Sequence, residues 1–333
     1  MTDRATLPTA PDVSVVISTY NRAEVLPRAI QSLLQQDLDP ARFEIVIVDN
    51  NSTDDTRQTV EAFFGKASNL RYVFEPRQGV SYGRNAGILA ARAPNIAFTD
   101  DDVRVSPSWL STIVLALTEH PEVACVGGRV LPNWTGPWPD WLTRDHWGPL
   151  ALLDYGDAPI YVTARRRLCL ITANVAYRRD VFDQIGMFSP HVQTLGRAVA
   201  TEDHEILLRL WRAGGQGLYW PALTATADIV PERMRREYHR RWHYRHGRFL
   251  AIMHDEDLEQ TRVGRFLGVP GHIYRQAVSA VLGWVRQTVG GDLGKAFAHE
   301  VGLLSTLGFI HARWLEVVRG PRHDWLSLDR GSN

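Results

Sequence analysis

Lysine and cysteine are nearly missing from this chain: 333 residues carry two of each, and the formal net charge at pH 7 is zero. Each scarcity removes a class of protein. Cys125 and Cys169 are too few for a disulfide framework or a four-cysteine zinc site, and Cys125 lies within the apolar run Val123-Ala124-Cys125-Val126. Both read as buried thiols of a reducing cytosol. With 37 basic residues against 37 acidic ones, no global field points to nucleic acid as a partner. Neither Lys66 nor Lys295 follows the first apolar strand, which argues against the glycine- and lysine-rich phosphate loop of a nucleotidyltransferase. A dinucleotide-binding oxidoreductase fails at the same place, because no Gly-x-Gly-x-x-Gly follows that strand. No uninterrupted apolar run approaches the ~18 residues of a membrane-spanning helix. No charged N-terminal region precedes an apolar core, so neither export by a signal peptide nor a membrane crossing is expected.

What the chain does have is 44% hydrophobic residues, enough for one large core or for one domain with a smaller appendage. Residues 1–11 read as a polar, flexible lead. Val13 to Ser18 then predicts a strand, and Leu26, Ile30, Leu33 and Leu34 recur behind it at helical spacing. A second strand is predicted from Phe43 to Val48, a helix to about Phe64, a third strand from Leu70 to Phe74, and a helix from about Ser81 through Ala91. This alternation predicts an α/β fold with a mostly parallel, doubly wound sheet and right-handed crossovers.

The next apolar stretch, Ile96-Ala97-Phe98-Thr99, stops abruptly at Asp100-Asp101-Asp102. Acids that leave the end of a buried strand stand where open α/β sheets bind ligands. Three adjacent carboxylates repel one another, and keeping them ionised there needs a compensating charge such as a hard divalent cation. The plainer alternative is a solvated acidic turn before a helix that begins near Ser106-Pro107.

Four segments in order, Val15-Val16-Ile17-Ser18-Thr19-Tyr20-Asn21-Arg22, Val46-Ile47-Val48-Asp49-Asn50-Asn51-Ser52-Thr53-Asp54-Asp55-Thr56, Gly83-Arg84-Asn85-Ala86-Gly87 and Phe98-Thr99-Asp100-Asp101-Asp102, resemble the nucleotide-sugar half of a family 2 glycosyltransferase with the GT-A fold. The resemblance covers about Asp12 to Leu250 and loosens between about Pro132 and Leu170. It implies an inverting, metal-dependent sugar transfer from a nucleotide-diphosphate sugar, a UDP-sugar as first choice, to a glycan or lipid-linked acceptor. By that resemblance Asp100 lies near ribose and metal, Asp102 ligates Mn²⁺ or Mg²⁺, and Asp101 intervenes. Thr19 and Tyr20 would flank the base with Arg22 beside them, and Arg84 would meet the base or diphosphate. Asp49 would accept a base N–H, or else simply cap the helix that follows.

Further along, Trp134, Trp138, Trp141 and Trp147 occupy a proline-rich loop. Trp134 and Trp138 are candidates for stacking on an acceptor, and the alternative is satellite core beneath a long loop. Thr201-Glu202-Asp203-His204-Glu205 opens an amphipathic helix, with Thr201 as its expected N-cap and the acids complementing the helix dipole. The Glu-Asp pair resembles the family's acidic motif, which implies Asp203 as the general base and Glu202 as the neighbour that orients it. From Glu232 to Arg248 there are seven arginines against two glutamates, and His239, His243 and His246 share one helical face. That spacing suits a metal, but the resemblance points to an arginine-rich helix beneath the diphosphate. Relatives often place a metal-binding His just before this segment, where Asp228 stands as a substitute oxygen ligand. From Arg262 to His323, eight basic residues face three acidic ones, and Ala277, Val278, Val281, Leu282 and Val285 share one face. This tail is expected either to rest on the cytoplasmic face of an anionic membrane or to pack on the catalytic domain or a second subunit. The expected organisation is thus residues 12–130 for the nucleotide-sugar half, 131–250 for the acceptor half and 251–333 for a helical extension.

Overall fold

The computed structural model describes residues 10–134, 136–194, 202–259 and 263–320. Most of the polar lead, the cap expected at Thr201 and the end of the tail lie outside the described residues. The described residues form two compact units. The first comprises the chain up to Asn133, Leu152–Pro190 and Glu202–Asp228; the second comprises 134–151, 191–194 and the chain from Ile229 onward.

The first unit is built on a nine-stranded sheet. Its strands are β1 (Val13–Thr19), β2 (Phe43–Asp49), β3 (Leu70–Phe74), β4 (Asn95–Phe98), β5 (Val103–Val105), β6 (Cys125–Asn133), β7 (Ile160–Val162), β8 (Val175–Arg178) and β9 (Gly217–Asp228). The order is β3-β2-β1-β4-β8-β6-β9-β5, with β7 paired to β9. Strands β1 to β4 pair in parallel through the helical crossovers α1 (Leu26–Leu34), α2 (Thr56–Glu61) and α3 (Val80–Ala90). All seven residues of β2 are buried, the charged Glu44 and Asp49 among them, so the strand is covered on both faces. Beyond β4 the sheet becomes mixed, because β8 enters antiparallel between β4 and β6. The expected α/β class and doubly wound start are therefore present. Among the described residues the remaining α-helices are α4 (Trp109–Glu119), α5 (Asp180–Ile185), α6 (His191–Thr194), α7 (Glu202–Arg212), α8 (Arg236–Ile252), α9 (Glu256–Glu259), α10 (Gly271–Val289) and α11 (Leu293–Arg319). Of these, α4, α5 and α7 belong to the first unit.

One contact positions the candidate site. Gly83 and Gly87, four residues apart on α3, lie directly against β1. A Cβ on Gly83 would stand 2.0 Å from Ser18 Oγ, and one on Gly87 would stand 2.2 Å from Val16 Cγ1. Only glycine lets the helix come this close. The consequence is that Arg84, between them in sequence, is buried beside the ends of the strands.

In the second unit, Trp141 and His146 of the loop, His239 of α8 and Phe297 of α11 share one core. Trp141 lies edge-on to Phe297 with ring centroids 4.6 Å apart and to His239 at 5.0 Å, and His146 stacks on Phe297 at 5.3 Å. This shared packing explains why residues 134–151 and α8, expected with the acceptor half, group with the C-terminal helices instead. Helix α11 is long and apolar enough, by length and composition, to cross a membrane. Phe297, Val301, Phe309 and Ile310 are buried within this unit, whereas Leu293, Leu307, Trp314, Val317 and Val318 are exposed.

The histidines make this core sensitive to acid. Burial pushes His239 and His243 down to about 4 and lowers His146 as well. Their folded values lie below the unfolded value near 6.5, so the stability tied to neutral imidazoles is complete above that pH and is lost as pH falls toward 4. Thermal unfolding followed by circular dichroism should show a falling midpoint across this window, with His239 worth up to roughly 3 kcal/mol. His239→Phe should lessen the dependence, His243 and His146 keeping their shares, and a midpoint constant from pH 7 to 4.5 in the parent chain would contradict it.

Candidate active site

The parallel strands end together. Thr19 pairs with Asp49 at the carboxyl ends of β1 and β2, and Phe98, the last residue of β4, lies beside Val16 of β1. The strand order reverses between β1 and β4, and such a switch point is where open α/β sheets bind ligands. The three aspartates follow immediately.

Their environments differ. Asp101 is buried, and its Oδ2 accepts a hydrogen bond from Thr19 Oγ1 at 2.7 Å, tying the acidic turn to the end of β1. Burial pushes its acid up to about 7, against the Thr19 hydrogen bond. Asp100 is about a third exposed and stands 3.4 Å from an Arg84 Nη2 that donates to it. Its acid is raised by burial, opposed by Arg84 and reinforced by Asp102 and Glu202. Asp102 is partly exposed, and its carbonyl accepts from the backbone N–H of Asp228 at 3.2 Å.

Arg84 is the junction of the site. Its guanidinium donates to Glu202 Oε1 at 2.5 Å and to Asp100, lies 3.9 Å from Asp203, and sits 5.5 Å from the centre of the Phe188 ring. Burial opposes its charge, but Glu202, Asp203 and Asp100 together hold it firmly protonated. Sequence reasoning expected Arg84 to reach toward a base or diphosphate; the structure sets it among carboxylates, joining the acidic turn to the first turn of α7. Asp203 Oδ1 accepts from Thr172 Oγ1 at 2.7 Å. Burial raises the Asp203 acid well above the ordinary carboxylate range; Glu202 adds to the effect, while Arg84 and Thr172 oppose it.

The nucleotide-side candidates are brought together at the ends of β1 and β2. Asp49 accepts from Tyr72 Oη at 2.7 Å and from the Ser52 N–H at 2.8 Å, so it organises its own turn and does not cap α2, whose N-cap is Asp55. Tyr20 is exposed, while the Arg22 N–H donates to Thr56 Oγ1 at 3.4 Å and the Arg22 charge favours ionised Asp101. Two contributors were missed from sequence. Asn50 accepts from the Gly79 N–H and donates to the Arg77 carbonyl, both at 2.7 Å, fixing the entry to α3. Thr172, on the short turn Thr172–Asn174, holds the expected base. An asparagine at a strand end was a weak signal for the first; nothing local marked the second.

The remaining candidates are each paired, packed or exposed. Asp228 is held by Arg104 at 2.6 Å and by Arg28 at 3.0 Å, and also accepts from Asn133 Nδ2 at 2.6 Å. Both its oxygens are thus paired with cations, and the expected role of Asp228 as an oxygen ligand would require those arginines to give way. Trp134 and Trp138 lie in the second unit, where Trp134 Nε1 donates to the Pro137 carbonyl at 3.2 Å and Trp138 stands exposed. Trp141 of the same loop is core.

Among the described residues, no group of three or more His, Cys, Asp or Glu side chains is disposed to hold a metal ion. The donor chemistry of Asp100 and Asp102 nevertheless fits a hard divalent cation. Mg²⁺ is ordinarily held by one or two carboxylates and completes its shell with substrate phosphates and water, so a full protein cage is not required.

Comparison with known proteins accords with this geometry. A glucosyl-dolichyl phosphate glucuronosyltransferase of Haloferax volcanii is 25% identical over 61% of this chain and 64% of its own length. A validoxylamine A glucosyltransferase of Streptomyces hygroscopicus subsp. limoneus is 38% identical over 32% of this chain and 24% of its own. The chain thus spans less than two thirds of either relative. In fold it is similar to a Pyrobaculum calidifontis mannosyltransferase in complex with GDP-Man and Mn²⁺, with a TM-score of 0.60 and 19% identity over 93% of this chain and 88% of that one. It is also similar to S. aureus TarS in complex with UDP-GlcNAc, with a TM-score of 0.54 and 18% identity over 87% and 90% of the two chains. Residues 14–186, just over half of the sequence and spanning all four of the segments read from the sequence, match Glycosyl transferase family 2, and the chain belongs to that family.

Proposed function

We propose that the protein moves a sugar from a nucleotide-diphosphate sugar to an acceptor hydroxyl in a single inverting displacement. The observation that carries this reading is Arg84, whose one guanidinium links Asp100 on the donor side to Glu202 and Asp203 on α7. In the proposed step the acceptor oxygen attacks the anomeric carbon from the face opposite the diphosphate. Asp203 takes the hydroxyl proton as the new C–O bond forms, and the nucleoside diphosphate leaves with the electrons of the broken bond. Thr172 holds Asp203 in place, and the acidity range of Asp203, raised by burial and by the neighbouring Glu202, makes it a stronger base than a solvent-exposed aspartate. Asp102 and Asp100 are the residues that would hold Mn²⁺ or Mg²⁺, which when bound supplies Lewis-acid stabilisation of the leaving diphosphate.

Thr19, Tyr20, Arg22 and Asp49 form the proposed nucleotide side. A UDP-sugar is our first choice of donor; the structural neighbours include complexes with UDP-GlcNAc and with GDP-Man. The name of the Haloferax relative favours a lipid-linked acceptor over a free glycan. A cytoplasmic setting, which requires such an acceptor to be presented on that face, is the location we propose. Incubation with a panel of nucleotide sugars and Mn²⁺, without acceptor, should release one nucleoside diphosphate preferentially by slow hydrolysis. NMR of the transfer product should show inverted anomeric configuration. Retained configuration, or inertness toward every donor and acceptor tried, would overturn the reading.

A further inference from the structure

The second unit carries an apolar surface on its outside. Val278, Val281, Leu282, Val285 and Val289 follow the i, i+3, i+4, i+7, i+11 spacing of one helix face, and all five are 40–85% exposed. The opposite side of α10 is the one that packs, with Ile273 buried and Gly283 pressed against His299 of α11. The helix is therefore amphipathic in the reverse sense for a free surface. The apolar face extends past Tyr274 to a two-stranded ribbon, β10 (Arg265–Phe266) and β11 (Val269–Pro270). The Phe266 ring lies 6.1 Å from that of Tyr274, and Trp314 Nε1 donates to Tyr274 Oη at 3.0 Å.

The ribbon tip is unusual. Leu267 and Gly268 both take positive φ, +48° and +75°, a turn that favours Asn or Gly at its first position. A leucine there is strained, and it is half exposed, so neither turn geometry nor core packing accounts for it. Phe266 beside it is 64% exposed. Charge supplies the remaining constraint. No acidic residue occurs between Val263 and Gly291, and the exposed Arg275 and Arg286 bracket Leu282 along one edge of the apolar face.

We propose that this face of α10, together with the Phe266–Leu267 tip, docks on the surface of an anionic lipid bilayer. A helix lying in the interface buries its apolar face at the acyl boundary while flanking arginines meet lipid phosphates, and the ribbon tip inserts beside it. Pairing with a second copy through the same face would bring arginine borders together with no acidic partner in the segment. The docking face is separate from the transfer chemistry, so each can fail without the other.

The test is co-sedimentation of the full chain with phosphatidylcholine vesicles, with and without about 30% phosphatidylglycerol. The chain should bind only the anionic vesicles and bind them less in high salt. Leu282→Glu and, separately, Leu267→Asp should each lower the bound-to-free ratio about tenfold. Both should keep the circular dichroism spectrum and the nucleotide-sugar hydrolysis of the parent chain. Absence of binding by the folded chain, or undiminished binding by both variants, would overturn the proposal. A dimer in sedimentation velocity that Leu282→Glu splits would assign the face to a second copy and overturn it equally.

Discussion

Asp203→Asn is expected to cut turnover by about 10²–10⁴-fold, the usual weight of a general base, while leaving nucleotide affinity nearly unchanged. Asparagine keeps an oxygen for the Thr172 hydroxyl, which now sits 2.7 Å away, so the local geometry should survive. What disappears is the capacity to take a proton. The parent enzyme should show the same requirement in its pH profile. The Asp203 acid is raised by burial and by Glu202, so its protonated, inactive form persists to higher pH than in an ordinary aspartate. Turnover should therefore rise with pH through this elevated range and fall as pH drops below it, and the variant should lose that limb. Single-turnover kinetics alongside titration of the nucleoside diphosphate would separate the effects. Lost nucleotide affinity with normal turnover would move Asp203 to the donor side.

Asp102→Asn is expected to weaken Mn²⁺-dependent nucleotide binding by about 10²-fold or more and to abolish measurable transfer, because one charged oxygen donor is removed from a two-carboxylate set. Asp102 is not the acid that holds the turn together: Asp101 is, through Thr19. Fold and thermal midpoint should accordingly stay close to those of the parent chain. Calorimetric titration of nucleoside diphosphate with and without Mn²⁺ reads the difference directly. The variant should respond to Mn²⁺ far less than the parent. Full transfer by EDTA-treated parent enzyme would rule out the metal role for Asp102.

The first half of the fold was legible because its information is local. An apolar run such as Phe43 to Val48 and a helical repeat such as Leu26, Ile30 and Leu33 each announce one element, and their alternation announces the crossovers. The acidic turn was legible for the same reason, as a strand that stops at three carboxylates. Contacts between distant residues were not. Arg84 and Glu202 are 118 positions apart, and Thr172 and Asp203 are 31 apart, so no periodicity links them. The antiparallel entry of β8 between β4 and β6 was hidden likewise, since a four-residue buried strand reads the same in either direction. The packing of the second unit was hidden because Trp141, His146, His239 and Phe297 come from three separated segments that no local pattern links. The charged residues of Arg236–Ile252 also drew attention to its outer face, although His239 on the same helix is fully buried.

The crowding of acids at the sheet end has a consequence for how a donor arrives. Asp100, Glu202 and Asp203 surround Arg84, and Asp101 and Asp102 follow Asp100 in the same turn, where Arg22 favours ionised Asp101. Burial already raises the acids of Asp100, Asp101 and Asp203, so the site resists further negative charge, and a bare nucleoside diphosphate would bring more of it. Entry as a preformed cation complex removes the repulsion at the moment of contact. Metal and nucleotide should consequently load as one species, each appearing to bind tightly only when the other is present.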